Sequence, residues 1–110
     1  MRSITAERKI AAPRRNVWAV LADFPDIARW NGGVAASHAT SEAVEGVGAT
    51  RHCDLASMGA TLEETIIEWV PGERMRISID AATRLPVRNA TVTFDLLDDG
   101  DMTPTTITYA

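Results

Sequence analysis

Two charged residues on neighbouring predicted strands, Arg51 and Glu64, have the residue types and the placement best suited to binding or chemistry in this sequence. Hydrophobic alternation predicts three consecutive strands at residues 49–55, 61–69 and 74–79, joined by short turns. Because successive side chains of a strand point to opposite faces, the alternation places Arg51 and Glu64 on one mostly apolar face. A cation and a carboxylate on such a face could hold the polar group of an otherwise apolar ligand.

The pair of Arg51 and Glu64 is compatible with three uses. It could anchor a ligand. Alternatively, Glu64 could act as a general acid or base while Arg51 stabilises a developing enolate. The third use is structural, as a cross-strand ion pair that satisfies two half-buried charges. Because the sequence contains no complete catalytic constellation, it leaves open whether the protein is an enzyme.

The other groups able to do chemistry are His38, His52 and the single cysteine, Cys53. His52 and Cys53 are adjacent in one predicted strand, so their side chains point to opposite faces and no nucleophile–base dyad is expected between them. We interpret Cys53 as a small buried residue. A single cysteine cannot form a disulfide within the chain or a thiolate metal site, and no metal-spaced histidine pair or nucleotide-binding loop is present, so we predict neither a metal nor a cofactor.

The remaining side chains on the face of Arg51 and Glu64 are mostly apolar, which is the usual composition of a small-molecule pocket. Trp30 lies where the predicted helices meet the sheet, and we expect it at the pocket too. The residues predicted from these patterns to contact a ligand are Trp30, Arg51, Cys53, Leu55, Leu62, Glu64, Ile66, Met75, Ile77 and Ile79.

Length and composition describe one globular domain, residues 1–110, with 45% hydrophobic residues, 24% charged residues and a net charge of −4. No basic run is present, so nucleic acid is not an expected partner. No apolar stretch has the length of a signal peptide core or a membrane span, and the expected location is cytoplasmic.

The predicted elements outside the central three strands complete an α+β fold. Short connections between the later strands favour an antiparallel meander. Besides the central three, we predict strands at residues 3–10, 34–40, 87–97 and 102–109, a helix at 14–22, a further helical turn at 26–29 and a loop at 81–86.

The order of several short motifs resembles the START-like helix-grip superfamily, also called SRPBCC, and within it the polyketide cyclase/dehydrase-type proteins. The match extends over nearly the whole chain. The motifs are Ile10-Ala11-Ala12-Pro13 followed by Val17-Trp18 and Leu21, then Asp23-Phe24-Pro25, Trp30-Asn31, Gly46-Val47-Gly48-Ala49-Thr50-Arg51, Leu62-Glu63-Glu64, Glu68-Trp69-Val70-Pro71, and Phe94 with Gly100.

The resemblance implies a strongly curved antiparallel sheet of about seven strands, with two short helices after the first strand and a hydrophobic cavity on the concave face. It implies binding of a lipid, polyketide or hormone-like molecule, with a cyclase or dehydratase using Glu64 and a protein–protein interaction module as alternatives. In the more distantly similar plant abscisic-acid receptors, the position of Asn31 carries a cationic ligand contact. The resemblance therefore adds Asn31 to the ligand-contacting set, and its missing charge argues against a carboxylate bound in the same way.

The sequence departs from the family pattern at its end, because it stops at Ala110 where the long C-terminal helix would follow. Without that helix, the apolar face of the sheet would be open, and soluble monomers rarely expose large apolar patches. Either the chain is a truncation or a partner covers the open face, and we expect a homodimer or a swapped arrangement in which a second copy does so.

Overall fold

A computed structural model describes residues 3–86 and 90–110 as seven strands and two short helices. The order confirms an α+β fold with the helices after the first strand. In chain order the elements are β1 Ile4–Ile10, α1 Arg14–Ala22, the short 3-10 helix η1 Phe24–Arg29, β2 Val34–Ala39, β3 Thr50–Leu55, β4 Thr61–Val70, β5 Arg74–Thr83, β6 Ala90–Leu96 and β7 Thr103–Tyr109.

All seven strands form one curved antiparallel sheet in the order β1-β7-β6-β5-β4-β3-β2. Strands β2 to β7 make the meander that the short connections predict. The turn that connects β4 to β5, Val70–Glu73, is closed by a backbone hydrogen bond of 2.9 Å from Glu73 N to Val70 O. Strand β1, which carries Glu7, Arg8 and Lys9, returns to pair with β7 at an edge of the sheet, where charged side chains discourage further strand pairing.

Helix α1 covers part of one sheet face, which we call the inner face. Its Val17 and Leu21 are buried, with Phe24 from η1, against Ile66 and Met75 of the sheet. Burial of these apolar side chains stabilises the packing of α1 on the sheet. The rest of the inner face, toward η1, has a second small cluster formed by Ile27, Val34 and Cys53.

Strand β5 is longer than the sequence predicts, so the prediction of a loop at residues 81–86 is wrong for its first three residues. Ala81, Ala82 and Thr83 pair with the start of β4 after a register shift at Asp80. Such a bulge adds one residue to one strand and lets pairing resume beyond it. The predicted strand at 87–97 begins in the structure at Ala90, and its first three positions lie outside the described residues.

The inner face is open beside β1 and β7. Ile4 in β1 and Tyr109 in β7 lie directly opposite each other and are 67% and 48% exposed. In residues 3–86 and 90–110 no helix follows β7, and neither helix is long and apolar enough to cross a membrane.

Candidate functional site

A cavity of about 260 Å³ lies between η1 and the part of the inner face that helix α1 leaves uncovered. Its wall is apolar except for a few polar side chains. The lining residues are Ile27, Trp30, Asn31, Gly33, Val34, Arg51, Cys53, Leu55, Leu62, Glu64, Ile77, Ile79, Val92, Phe94 and Tyr109.

Most residues that the sequence assigned to a ligand site line this cavity: Trp30, Asn31, Arg51, Cys53, Leu55, Leu62, Glu64, Ile77 and Ile79. Ile66 and Met75 do not. Both point to the inner face as predicted, but they are buried in the core beneath α1 and do not line the cavity.

Six lining residues were not assigned to the site from the sequence: Ile27, Gly33, Val34, Val92, Phe94 and Tyr109. Strand pairing could have indicated three of them. Val92 lies opposite both Ile77 and Tyr109, and Phe94 lies opposite Met75, so all these side chains share the inner face. The positions of Ile27, Gly33 and Val34 depend on how η1 folds over the sheet, for which the sequence carries no comparable signal.

Arg51 and Glu64 lie directly opposite each other on β3 and β4 and form an ion pair in the cavity wall. Arg51 Nε donates to Glu64 Oε1 at 2.9 Å, and their side chains are only 5% and 6% exposed. A charged pair this deeply buried is maintained only with good geometry and further hydrogen bonds, because both charges lose their hydration.

Further contacts hold Arg51 in one orientation. Its Nη1 donates to the backbone carbonyl of Phe24 at 2.9 Å, and its guanidinium carbon lies 3.9 Å from the centre of the Phe24 ring. The hydrogen bond and the cation–π contact join the sheet to the start of η1. Arg51 therefore positions η1, which forms the other wall of the cavity.

The two hydrogen bonds that the described residues make to the Glu64 side chain both fall on Oε1. Arg51 donates one of them, and the Cys53 thiol donates the other over 3.3 Å. Within residues 3–86 and 90–110, Oε2 accepts no hydrogen bond, and it is not sealed from solvent. The second carboxylate oxygen is thus available to a molecule in the cavity.

Cys53 lines the cavity and is almost fully buried. Burial raises the pKa of its thiol from 9.0 to about 12, and the negative charge of Glu64 acts in the same direction, against the opposing effect of Arg51. The thiol is therefore protonated at neutral pH, whereas the thiolate is the nucleophilic form. Cys53 donates a hydrogen bond to the site and is not equipped to attack a substrate.

Two residues near the cavity entrance combine apolar surface with polar groups. Trp30 is 44% exposed at the end of η1. The side-chain Oδ1 of Asn31 accepts a hydrogen bond from Gly33 N at 2.9 Å, which holds the connection between η1 and β2. This bond occupies the carbonyl oxygen of Asn31 and leaves its amide N–H groups as the donors at the entrance.

The two histidines lie on the outer face of the sheet. For His52 the alternation predicts this separation from Cys53, whereas the face of His38 follows from the pairing of β2 with β3. His38 and His52 are directly opposite each other on β2 and β3, with ring centres 5.2 Å apart. His52 Nδ1 is hydrogen-bonded to Glu63, and Nε2 lies 3.0 Å from Asp54. No group of three His, Cys, Asp or Glu side chains among the described residues has the geometry to hold a metal ion.

The pair of carboxylates around His52 predicts a pH dependence of stability. Hydrogen bonds to Glu63 and then Asp54 raise the pKa of His52 above 6.5, against the smaller effect of burial. A raised pKa in the folded state means that protonated His52 stabilises the fold fully below pH 6.5, and that this stabilisation is lost as pH rises through the folded-state pKa.

We therefore expect the free energy of unfolding to contain a component that declines above pH 6.5 and is missing in His52→Gln. Urea unfolding of both proteins at a series of pH values measures it. His38→Gln is the matched control, since it leaves the hydrogen bonds to Glu63 and Asp54 in place. Equal pH profiles for wild type and His52→Gln would contradict the assignment.

Several solved structures of other proteins have a fold similar to that of this chain. The protein XoxI from Bacillus cereus superposes with a TM-score of 0.83 at 18% identity, over 100% of this chain and 75% of XoxI. A solution structure from Thermobifida fusca gives 0.82 at 22% identity, over 99% and 72%. A START superfamily protein from Mycobacterium smegmatis gives 0.81 at 11% identity, over 97% and 74%. At these identities the likeness establishes the fold alone.

A sequence search of curated proteins finds no match. A family model, in contrast, matches residues 1–110, the full length of the chain, and its description is polyketide cyclase / dehydrase and lipid transport. This match and the START-type fold confirm the resemblance that the motifs predicted. The chain belongs to the polyketide cyclase/dehydrase and lipid transport family.

Proposed function

We propose that this protein binds a small, mostly apolar molecule in the cavity between η1 and the inner face of the sheet. The observation that carries the proposal is the composition of the wall: an apolar surface surrounds one buried pair of charges that compensate each other. Binding pockets usually have this composition, in which apolar area provides affinity and a few placed polar groups provide orientation. The family description, which includes lipid transport, is consistent with such a ligand.

The size of the cavity limits the ligand. Its volume of about 260 Å³ lies just below the roughly 300–1,000 Å³ of pockets that enclose drug-sized molecules. Trp30, which lines the cavity at the end of η1, is exposed, so the site opens to solvent on that side. We therefore propose a compact ligand of one or two rings, or the end of a longer chain whose remainder lies outside.

Catalysis is a second candidate, favoured by the cavity-lining Glu64, whose Oε2 has no protein donor among the described residues. A carboxylate so placed could move a proton during ring closure or dehydration, and the guanidinium of Arg51 would stabilise a developing negative charge. This candidate requires turnover that is lost in Glu64→Gln and retained in Glu63→Gln, whose side chain is on the outer face. The cavity itself does not support the third hypothesis of a protein interaction module, which predicts a filled interior.

Native mass spectrometry of the protein purified from its own source tests ligand binding. We expect a bound small molecule on the wild type and its loss in Leu62→Trp, because the larger side chain would fill the space beside Leu62. Leu97→Trp is the control, since Leu97 is exposed and outside the cavity. An adduct that persists in Leu62→Trp, with the variant folded by circular dichroism, would place the molecule elsewhere.

We further propose that a second copy of the chain covers the open inner face beside β1 and β7. The support is the exposed apolar set of Ile4, Ile10 and Tyr109, all on one face. Light scattering at micromolar concentration should give the mass of a dimer for the wild type and of a monomer for Ile4→Glu. Ile67→Glu, at another exposed apolar position, is expected to leave the dimer intact. A monomeric wild type contradicts the proposal.

A further inference from the structure

We infer that the ligand of this cavity is uncharged and donates a hydrogen bond, most simply from a hydroxyl group, to Oε2 of Glu64. The inference rests on the proposed binding function and narrows the ligand to a chemical class. It follows from the charges of the cavity wall and from the hydrogen-bond donors and acceptors of the wall that have no partner in the described part of the chain.

The charge of the wall favours a neutral ligand. Arg51 and Glu64 are the only charged residues that line the cavity among the described residues, and they neutralise each other at 2.9 Å. A ligand carboxylate that reached Arg51 would lie beside the carboxylate of Glu64, and a ligand cation that reached Glu64 would lie beside the guanidinium. Either charge would also lose its hydration in the cavity without a partner of its own.

The hydrogen-bonding capacity of the wall specifies a donor on the ligand. A carboxylate is only an acceptor, and both hydrogen bonds that the described residues give to the Glu64 side chain fall on Oε1. On this cavity-lining side chain, Oε2 is therefore an acceptor without a protein donor among residues 3–86 and 90–110. When a ligand displaces water from this atom, it must replace the lost hydrogen bond or leave a charged group unsatisfied.

An apolar ligand of matching shape would satisfy the apolar part of the wall but not this atom. Hydrogen bonds to a charged group are stronger than those between neutral groups. Among molecules that share one apolar ring system, affinity is thus expected to depend on the group that contacts Oε2. Alcohols, phenols and enols carry such a donor, whereas ethers and carboxylate anions do not.

Three naphthalene derivatives of similar size test the inference by isothermal titration calorimetry at pH 7: 2-naphthol, 2-methoxynaphthalene and 2-naphthoate. The wild type is expected to bind 2-naphthol at least roughly tenfold more tightly than either of the others, since loss of a hydrogen bond to a charged group has about this effect. 2-Naphthoate is expected to bind most weakly, because it brings a second carboxylate to Glu64.

Glu64→Gln is expected to abolish the preference for 2-naphthol over 2-methoxynaphthalene. The amide oxygen of the glutamine can still accept the hydrogen bond from Arg51. The amide NH₂ group, which is only a donor, then replaces the acceptor Oε2. Glu63→Gln is the matched control and should keep the wild-type preference, because Glu63 is on the outer face with His52.

The possible results separate this inference from the proposed function. If the wild type binds all three compounds equally, or binds 2-naphthoate best, the cavity is a binding site and the inference about its ligand class is wrong. If the wild type binds none of them, the proposed binding function itself is contradicted. The comparison within the wild type does not depend on whether Glu64→Gln folds.

Discussion

Replacing Arg51 by methionine is expected to lower the free energy of unfolding by roughly 3–5 kcal/mol, the effect of leaving one member of a buried ion pair alone. Methionine keeps much of the arginine volume over the Phe24 ring, so the loss reports chiefly on charge and hydrogen bonding. Without Arg51, the Glu64 carboxylate would remain buried and unpaired, and the carbonyl of Phe24 would lose its donor. For a domain of typical stability, this is a large fraction of the total.

Urea unfolding of Arg51→Met beside Arg74→Met measures the effect. Arg74 also contacts carboxylates, at 3.7 Å from Glu68 and 3.3 Å from Asp95, but its side chain is 44% exposed. Exposed pairs contribute about 0–1 kcal/mol, so Arg74→Met should have little effect. Adding Glu64→Leu to Arg51→Met should recover much of the loss, because no charge then remains buried. Similar small losses in both single variants would show that the Arg51–Glu64 pair does not stabilise the fold.

The thiol of Cys53 is expected to react at least roughly thirtyfold more slowly with a thiol reagent in the native protein than in the urea-unfolded chain at pH 8. The rise of its pKa from 9.0 to about 12 reduces the thiolate fraction about a thousandfold, and the greater nucleophilicity of a thiolate of higher pKa offsets part of this loss. Burial also restricts access, which lowers the native rate further.

Absorbance during reaction with a disulfide reagent measures both rates. The matched control is Cys53→Ala combined with Ser57→Cys, which moves the only thiol to an exposed turn and should react at an ordinary rate in the native state. Fast native reaction of the wild type would contradict both the buried position of Cys53 and its protonated state, and would make it a candidate nucleophile.

Side-chain alternation was sufficient to predict the central feature of the site. It placed Arg51 and Glu64 on one face, and the structure adds that their strands are in register at this pair. It also separated His52 from Cys53. These predictions are confirmed because side-chain alternation in a strand follows from backbone geometry and does not depend on the rest of the fold.

Alternation indicates a face but not the position of a residue beneath the other elements. Ile66, Met75, Ile77 and Ile79 all belong to the apolar sets of the inner face. Helix α1 packs over Ile66 and Met75, while Ile79 lines the cavity, and Ile77 contributes to both. Only tertiary packing determines which part of the inner face α1 covers. The sequence could therefore not separate the residues of the core from those that line the cavity.

The end of β5 was missed for a different reason. Asp80-Ala81-Ala82-Thr83 has weak strand propensity, and the bulge at Asp80 interrupts the expected pairing. Side-chain hydrogen bonds nevertheless stabilise this region: Asp80 accepts from Thr65 and from Ser78, and Thr61 pairs with Thr83. Such cross-strand contacts become visible only when the register is known.

Nuclear Overhauser effects between bound 2-naphthol and isoleucine methyl groups test the central claim, that the cavity on the inner face is a binding site, most directly. Selective isotope labelling of isoleucine makes its methyl signals visible, and replacing one isoleucine at a time assigns each signal to a residue. We predict contacts to Ile27, Ile77 and Ile79, which line the cavity, and none to Ile67, which is exposed outside it. Contacts to Ile67 without contacts to Ile77 and Ile79, or no contacts at saturating 2-naphthol, would contradict the claim.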